Sequence, residues 1–188
     1  TVRDAANANS MQIAEVELLG EALPLISSVV RSNGQSGDRD RIGAFDGDTA
    51  PMAMVDSGLA NGAPIFSDRT YTWGGVPDVY VGTEYVATFN TDKNSGETDV
   101  TYEVTISQPA IVWITVDDRL ASPQDSADSV TAAFADPGTF VDSDIDLLVV
   151  GDNDRPMSVY VAELPAGTYV FGAMDSGNNF YSIGAIGQ

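Results

Sequence analysis

DVTYEVTIS at residues 99–107 alternates polar and apolar side chains, and AIVWITV at residues 110–116 follows it as a nearly continuous apolar run. A period of two is typical of a strand with one buried face, and here it aligns four apolar side chains: Val100, Tyr102, Val104 and Ile106. Gln108-Pro109 separates the two runs. The pair therefore predicts a β-hairpin whose second strand lies in the centre of a sheet.

Similar runs recur along the chain, whereas helical spacing is not sustained. Clear strands are predicted at 156–164 and 168–174, joined by the short turn Pro165-Ala166-Gly167, and at 179–186. Shorter strands are predicted at RTYTW (69–73), EYVATFN (84–90) and DIDLLVV (144–150), and weaker ones at RIGAF (41–45) and APMAMV (50–55). Residues 120–138 hold at most one helical turn, at 129–134. The sequence thus predicts an all-β protein, with an antiparallel β-sandwich over residues 24–188 as a single domain.

MQIAEVELLG at residues 11–20 is a further run of β-formers, and it follows the polar arm TVRDAANANS. Because a strand must pair with a sheet, residues 1–23 are predicted to form an arm and strand that a neighbouring subunit receives. The side chains predicted to contact that neighbour are Met11, Ile13, Val16, Leu18 and Leu19. Such a head-to-tail contact builds a filament or surface array unless it closes into a ring.

The chain has 28 acidic residues against 8 basic ones, a formal net charge of −20, and neither cysteine nor histidine. A surface of this charge repels nucleic acid and anionic membranes. The missing residue types exclude disulfides, zinc–thiolate sites and any mechanism with a histidine base. No apolar run is long enough to span a bilayer, and a chain that starts at Thr1 resembles a processed product. An extracellular or cell-surface location is expected.

Catalysis is disfavoured by the sequence. Asp117-Asp118 and the pair Asp144 and Asp146 have the residue types of a glycosidase acid and base, but solvated loop acids at such spacings are common in an acidic chain. Neither a Gly-x-Ser-x-Gly motif nor a phosphate-binding glycine loop is present.

Two aspartate-rich stretches, GDRDRIGAFDGD at 37–48 and VDSDIDLLVVGDNDRP at 141–156, supply the hard oxygens that calcium prefers. The candidate calcium ligands are Asp38, Asp40, Asp46, Asp48, Asp142, Asp144 and Asp146. The alternative is that these residues cap turns, and the interleaved arginines favour local ion pairs. Among the aromatic residues, Trp73 precedes Gly74-Gly75 and is predicted to be exposed, where its ring could stack on a sugar.

Three segments together carry a resemblance: DRTYTW at 68–73, EYVATFNTDK at 84–93 and VWITVDDR at 112–119. They resemble an accessory β-sandwich module that is appended to large secreted bacterial proteins, including polysaccharide-degrading ones. DSDIDLLVV at 142–150 and ELPAGTYVF at 163–171 are similar to the bacterial pre-peptidase C-terminal domain, a small jelly roll. The resemblance implies a jelly-roll-like sandwich, an extracellular setting and no catalysis.

The positions that match the module's motifs are Asp92, Lys93, Asp117, Asp118 and Arg119. The resemblance implies an ion cluster in which Lys93, the only lysine, pairs with Asp117 or Asp118; a ligand site is the alternative. NSMQIAEVELLG at 9–20 is similar to the last strand of discoidin-type jelly rolls, although the rest of such a domain is missing.

Two functions remain open at this point. The first is a non-catalytic extracellular structural subunit that self-assembles by donating its N-terminal strand. The alternative is a carbohydrate-binding or adhesion module of a larger secreted bacterial protein. Expected partners are other copies of the chain, polysaccharide or O-linked glycan, the last because the chain has no Asn-x-Ser/Thr sequence.

Overall fold

The computed structural model describes residues 24–32, 39–41, 58–94, 100–132, 140–172, 174 and 178–188. Its strands are β1 (Ile26–Ser32), β2 (Arg39–Arg41), β3 (Thr72–Gly74), β4 (Glu84–Val86), β5 (Thr101–Ile106), β6 (Ala110–Asp117), β7 (Val141–Val150), β8 (Arg155–Leu164), β9 (Gly167–Phe171) and β10 (Ile183–Gly187). A 3₁₀-helix spans Asn90–Asn94, and the helix α1 spans Pro123–Thr131. The predicted arm at 1–23, the strand at 50–55 and all of the strand at 41–45 except Arg41 lie outside these residues.

The strands form two antiparallel sheets. One has the order β2-β1-β5-β9 and the other the order β3-β7-β8-β6-β10-β4. In β5 the predicted face of Tyr102, Val104 and Ile106 is buried, and the residues between them are partly exposed. The prediction of an all-β, antiparallel sandwich is confirmed, while its jelly-roll character and the domain boundary at residue 24 stay predictions.

The predicted hairpin between β5 and β6 is wrong. β5 pairs with β1 and β9, whereas β6 pairs with β8 and β10, so residues 107–109 cross from one sheet to the other. The reason is that β6 is buried on both faces, with Trp113 on one and Ile114 on the other, each 0% exposed. Such a strand needs cover on both sides, and it lies in the interior of the larger sheet, as predicted.

The helix α1 is longer than the helical turn predicted at 129–134 and begins earlier. Pro123 stands in its first turn, where the fixed φ of proline is favourable, and Asp125 follows where the helix dipole favours negative charge. Ala127 and Val130, three residues apart, bury one side of the helix. Across the described part of the chain, no helix has the length and apolar character needed to cross a membrane.

The segment Leu59–Ser67 bridges the two outer strands of the six-stranded sheet. Beside β3, the N–H of Trp73 donates to the oxygen of Ala63 at 2.8 Å, and the N–H of Ile65 donates to the oxygen of Tyr71 at 3.1 Å. Beside β4, the N–H of Leu59 donates to Thr83 at 2.9 Å, and that of Ser67 donates to Thr88 at 2.7 Å. The outer edge of β3 is therefore already paired, while on the other side of the sheet the segment bonds to the residues that flank β4.

Candidate functional site

Asp92, in the 3₁₀-helix, is buried and forms an ion pair with the partly exposed Arg31 of β1. The guanidinium donates from Nε to Oδ2 at 2.8 Å and from Nη2 to Oδ1 at 2.7 Å, and Tyr102 Oη donates to Oδ2 at 2.5 Å. Burial, reinforced by the charge of Asp92, raises the pKa of Tyr102 well above its usual value. The hydrogen bond to Asp92 likewise raises the pKa of Arg31, whose guanidinium lies 4.8 Å from the centre of the Phe89 ring. The pair ties β1 to the end of the motif that begins at residue 84.

Asp117 ends β6 and is 0% exposed. Arg119 donates to Oδ1 from Nε at 2.8 Å and from its backbone N–H at 3.0 Å, and the N–H of Asn179 donates to Oδ2 at 3.0 Å. Burial alone would raise the pKa of Asp117, but the hydrogen bonds from Arg119 and Asn179 outweigh it and hold that pKa below its usual value. Asp117 is thus held in its charged form inside the protein.

Asn179 contacts two of the motifs that carry the family resemblance, at residues 84–93 and 112–119. Its side-chain oxygen accepts from Nδ2 of Asn90 at 3.4 Å, its backbone N–H reaches Asp117, and the N–H of Phe180 donates to Asn90 Oδ1 at 2.9 Å. Asn90 belongs to the first motif and Asp117 to the second. Asn179 therefore bridges the two motifs, with its side chain on Asn90 and its backbone N–H on Asp117. Arg31 and Asn179 were not identified from the sequence, and no local signal marks them, because their partners lie 61 to 89 residues away. Tyr102 was predicted as a strand residue and not as a donor to Asp92, which lies 10 residues before it.

The five positions predicted to form one ion cluster are instead divided among separate partners. Asp118 does not face the lysine; its Oδ1 accepts from the N–H of Ser158 at 2.9 Å and from the Ser158 hydroxyl at 2.7 Å. Within the described residues Lys93 forms no ion pair with Asp117 or Asp118, since Arg119 occupies the carboxylate of Asp117. The geometry is that of internal hydrogen-bonding networks that hold strands and loops together.

A second group of acids lies at the surface beside β8, and we call Asp118, Asp142, Asp146, Ser158 and Tyr160 the acidic surface. Asp142 is opposite Tyr160 and Asp146 is opposite Ser158, with a bulge in β7 between the two pairs. Because paired residues share one face of a sheet, all four side chains lie on the same face. Tyr160 is buried, whereas Asp142 and Asp146 are exposed, so the cover of this face ends between β8 and β7.

The acids of this surface influence one another. Partial burial and the charges of Asp118 and Asp142 raise the pKa of Asp146 above its usual value. Burial and the charges of Asp142 and Asp118 also raise the pKa of Tyr160. The sequence placed Asp118 in the ion cluster and Asp142 and Asp146 in a calcium loop, and the structure brings these residues together.

Calcium ligation finds no support in the part of the chain that the structure describes. No group of three or more acidic side chains there is placed to hold a metal ion, and Asp142 instead accepts from the N–H of Asp144 at 2.9 Å. Asp38, Asp46 and Asp48 lie outside the described residues, and only the backbone of Asp40 is described. Calcium binding at residues 37–48 therefore stays a prediction.

The prediction that Trp73 is exposed for sugar stacking is wrong. Trp73 is 1% exposed, because its side chain lies on a buried face of the sheet that it shares with Val149, the residue opposite it in β7. The large apolar side chains most exposed among the described residues are aliphatic ones: Val79 at 61% and Val81 at 52%, on either side of the buried Tyr80.

The described residues form a β-sandwich with internal hydrogen-bonding networks and an exposed acidic surface beside β8. No family model and no curated protein matches the chain. Among solved structures, the chain is similar to a β-glucuronidase from glycoside hydrolase family 2, with a TM-score of 0.53 and 16% identity over 70% of this chain and 13% of that chain. It also matches a GH138 enzyme targeting pectin rhamnogalacturonan II, with a TM-score of 0.45 and 15% identity over 69% and 14% of the two chains. The first similarity indicates a shared fold.

Proposed function

We propose that this chain is a non-catalytic, carbohydrate-binding β-sandwich module of a larger secreted protein, and that it contacts carbohydrate through the acidic surface. The observation that carries the proposal is the set of exposed carboxylates on the sheet face beside Ser158 and the buried Tyr160. A second support is that the chain spans 13% of the similar β-glucuronidase chain, so it has the size of a small part of that enzyme.

The chemistry of the acidic surface suits sugar hydroxyl groups. Ionised carboxylates are pure acceptors, each able to receive more than one hydrogen bond, and hydrogen bonds to a charged acceptor are stronger than neutral ones. Asp118 already receives two hydrogen bonds from Ser158, whereas Asp142 and Asp146 are exposed. A net charge of −20 repels polysaccharides that carry uronic acids. Neutral polysaccharides are therefore the expected ligands.

Affinity electrophoresis tests the proposal with gels that contain a neutral glucan, a neutral mannan or polygalacturonate. We expect at least one neutral polysaccharide to retard the protein and polygalacturonate to leave its mobility unchanged. Asp146→Asn should weaken the retardation by about tenfold or more, since a lost charged hydrogen bond costs about 1.5–3 kcal/mol.

Glu163→Gln is the matched control, because it also removes one negative charge from an exposed position. Glu163 belongs to β8 and pairs with Ile111, and both side chains lie on the face of the sheet opposite to that of Ser158 and Tyr160. Retardation that is equal for both variants, or absent with every neutral polysaccharide, would contradict the assigned surface. Release of reducing sugar from the gel polysaccharides by the wild type, lost in Asp146→Asn, would contradict the non-catalytic part of the proposal.

Self-assembly by N-terminal strand donation stays a prediction. The five side chains expected to contact a neighbour lie within residues 11–19, outside the described residues. Size-exclusion chromatography with and without residues 1–20 separates an assembling protein from a monomer.

A further inference from the structure

A further carboxylate, from the helix α1, borders the acidic surface. Gln124 of this helix donates from Nε2 to the backbone oxygen of Phe140 at 3.0 Å and to Asp128 Oδ1 at 2.8 Å. Phe140 directly precedes β7, so Asp128 lies beside the start of that strand, and its charge acts on the Tyr160 hydroxyl. Carboxylates from α1, β7 and the loop after β6 therefore converge here: Asp118, Asp128, Asp142 and Asp146.

The hydroxyl of Tyr160 faces these four carboxylates. Tyr160 is 3% exposed, and burial, followed by the charges of three of the carboxylates, raises the pKa of its hydroxyl. In the part of the chain that the structure describes, this hydroxyl makes no hydrogen bond, whereas the hydroxyls of the buried Tyr102 and Tyr181 each donate one. Because a buried tyrosine usually bonds through its hydroxyl, that of Tyr160 is available to a ligand as donor and as acceptor.

The four carboxylates have no basic counterpart among the described residues. The ion pairs that the structure shows there are made by other acids: Asp68, Asp92, Asp117 and Asp152. Arg155 of β8 lies on the opposite face of the sheet, because it is three residues from Ser158 and alternate residues of a strand share a face. The negative charge of this face is thus not neutralised locally, which favours a cationic ligand.

The positions of the acids select the kind of cation. No group of three or more acidic side chains in the described ranges is placed to hold a metal ion. An ammonium group has three N–H donors and bonds to acceptors in different directions. Asp142 is directly opposite Tyr160 in the ladder, and its charge is the strongest of those acting on the hydroxyl, so one ammonium group can reach both side chains.

The next pair along the ladder favours a sugar as the carrier of this ammonium group. Ser158 and Asp146 lie opposite each other on the same face, two residues along β8 from Tyr160, which is about 7 Å. A carboxylate accepts hydrogen bonds from hydroxyl groups, and an amino sugar has hydroxyl groups on the ring that holds its amine. A lysine side chain has the same ammonium group on a flexible stem without hydroxyl groups.

We propose that the acidic surface binds the protonated amine of an amino sugar, with Tyr160 Oη and Asp142 as its acceptors and Asp146 as an acceptor for a sugar hydroxyl. The ligand class is a polysaccharide with free amino groups. This inference rests on the proposed function, since it takes the acidic surface as the part of the protein that contacts carbohydrate. The charge that repels uronic acids attracts such a polymer.

Isothermal titration calorimetry with three β-1,4-linked tetrasaccharides tests the inference. They differ only in the group at C2 of each ring: the amine of glucosamine, the acetamide of N-acetylglucosamine or the hydroxyl of glucose. At about pH 6 the amine, like an α-amino group, is protonated. In about 0.15 M NaCl, where attraction to distant charges is screened, we expect the glucosamine tetramer to bind at least about tenfold more tightly than the other two, the effect of one charged hydrogen bond.

Tyr160→Phe is the decisive variant, because it removes the free hydroxyl and leaves the net charge unchanged. We expect it to weaken binding of the glucosamine tetramer about tenfold, and Asp142→Asn to weaken it by at least as much. Glu163→Gln, which removes a charge from the opposite face, should bind as the wild type does. An unchanged Tm in each variant confirms that the fold is intact.

Four results would overturn the inference. Equal affinity for the glucosamine and glucose tetramers would remove the role of the amine and leave the proposed function standing. Equal losses in Asp142→Asn and Glu163→Gln, with none in Tyr160→Phe, would show attraction to the overall charge. Trilysine that binds as tightly as the glucosamine tetramer, with the same losses in the variants, would assign the surface to basic peptides. Failure of all three tetramers to bind would exclude amino sugars, and the polysaccharide gels then test the proposed function separately.

Discussion

Asp92 and Asp117 are the two buried carboxylates among the described residues, and both owe their place in the interior to nitrogen donors. Each receives two N–H groups from one guanidinium, and each receives a further hydrogen bond from another residue. Burying a charge without such partners costs several kcal/mol. At the residue scale, Asp92 and Asp117, which belong to the motifs that carry the resemblance, therefore stabilise the fold through these internal hydrogen bonds.

The sequence identified these aspartates but not their partners. Arg31 is 61 residues from Asp92, and Asn179 is 62 residues from Asp117. Such contacts depend on which strands become neighbours and in what register, and neither is encoded in the local pattern around the aspartate. Lys93 was expected to pair with Asp117 or Asp118 because it is the only lysine and lies in a matched motif, whereas Arg119, two residues from Asp117, occupies that carboxylate.

Asp146→Asn should stabilise the protein at neutral pH. Partial burial, Asp118 and Asp142 raise the folded-state pKa of the Asp146 carboxyl, so folding favours its protonated form. The stability contributed by this group is full below the unfolded pKa, about 3.9. It is lost as pH rises through the higher folded-state pKa, and a neutral amide avoids that loss.

We expect thermal melting to show a Tm about 1–2 °C higher for Asp146→Asn at pH 7, the scale of a substitution at the surface. At pH 3 both proteins are neutral at this position, and the difference should vanish. A variant that melts below the wild type at pH 7, or that keeps its advantage at pH 3, would contradict the proposed charge repulsion.

At the element scale, the positions of strands were predictable and their neighbours were not. Alternation located β5, and a continuous apolar run located β6 in the interior of a sheet, because burial of one face or of two leaves different patterns. Whether a three-residue connection such as 107–109 turns within one sheet or crosses to the other depends on what covers the second face of β6. That cover comes partly from Tyr80 and Tyr85, whose rings pack on Trp113.

Gly184→Ala should be strongly destabilising, because β10 passes directly beneath an aromatic ring. Gly184 lies between Trp113 of β6 and Tyr85 of β4, and a Cβ at this position would fall 2.1 Å from Trp113 Cε2. The Trp113 ring is fully buried and stacks with Tyr85 at 6.4 Å, so it has no free space to move into. Overpacking of this kind typically costs about 1–3 kcal/mol.

Gly187→Ala is the matched control, since Gly187 belongs to the same strand and a Cβ there meets no atom within 4 Å. Chemical denaturation should show the loss in Gly184→Ala and a change below about 0.5 kcal/mol in Gly187→Ala. Similar free energies of unfolding for the two variants would contradict the close approach of Trp113 to β10.

At the scale of the whole molecule, the charge is far from balanced. Against 28 acidic residues the chain has 8 basic ones, and Arg31, Arg69 and Arg119 are already engaged in ion pairs with aspartates. The remaining acids, Asp142 and Asp146 among them, repel one another across the surface, and folding brings them closer together than they are in the unfolded chain. Composition alone predicted this excess of acidic residues. The position of Asp142 and Asp146 together beside β8 was not predictable in this way, because it depends on the bulge in β7.

Salt should therefore stabilise the folded protein through screening. Between 0.01 M and 0.15 M NaCl the Debye length falls from about 30 Å to about 8 Å, which removes most of the repulsion between distant surface charges. Each kcal/mol of relieved repulsion raises the Tm by about 2–4 °C for a chain of this size. We expect thermal melting to show a rise in Tm of at least this size between the two salt concentrations. Na₂SO₄ at equal ionic strength should give the same rise in Tm in this range, because screening depends on ionic strength alone. A Tm that stays constant or falls with NaCl would contradict the repulsion.

Millimolar CaCl₂ at fixed ionic strength separates screening from specific binding. A further rise in Tm with calcium, absent with magnesium, would indicate the calcium site predicted for residues 37–48.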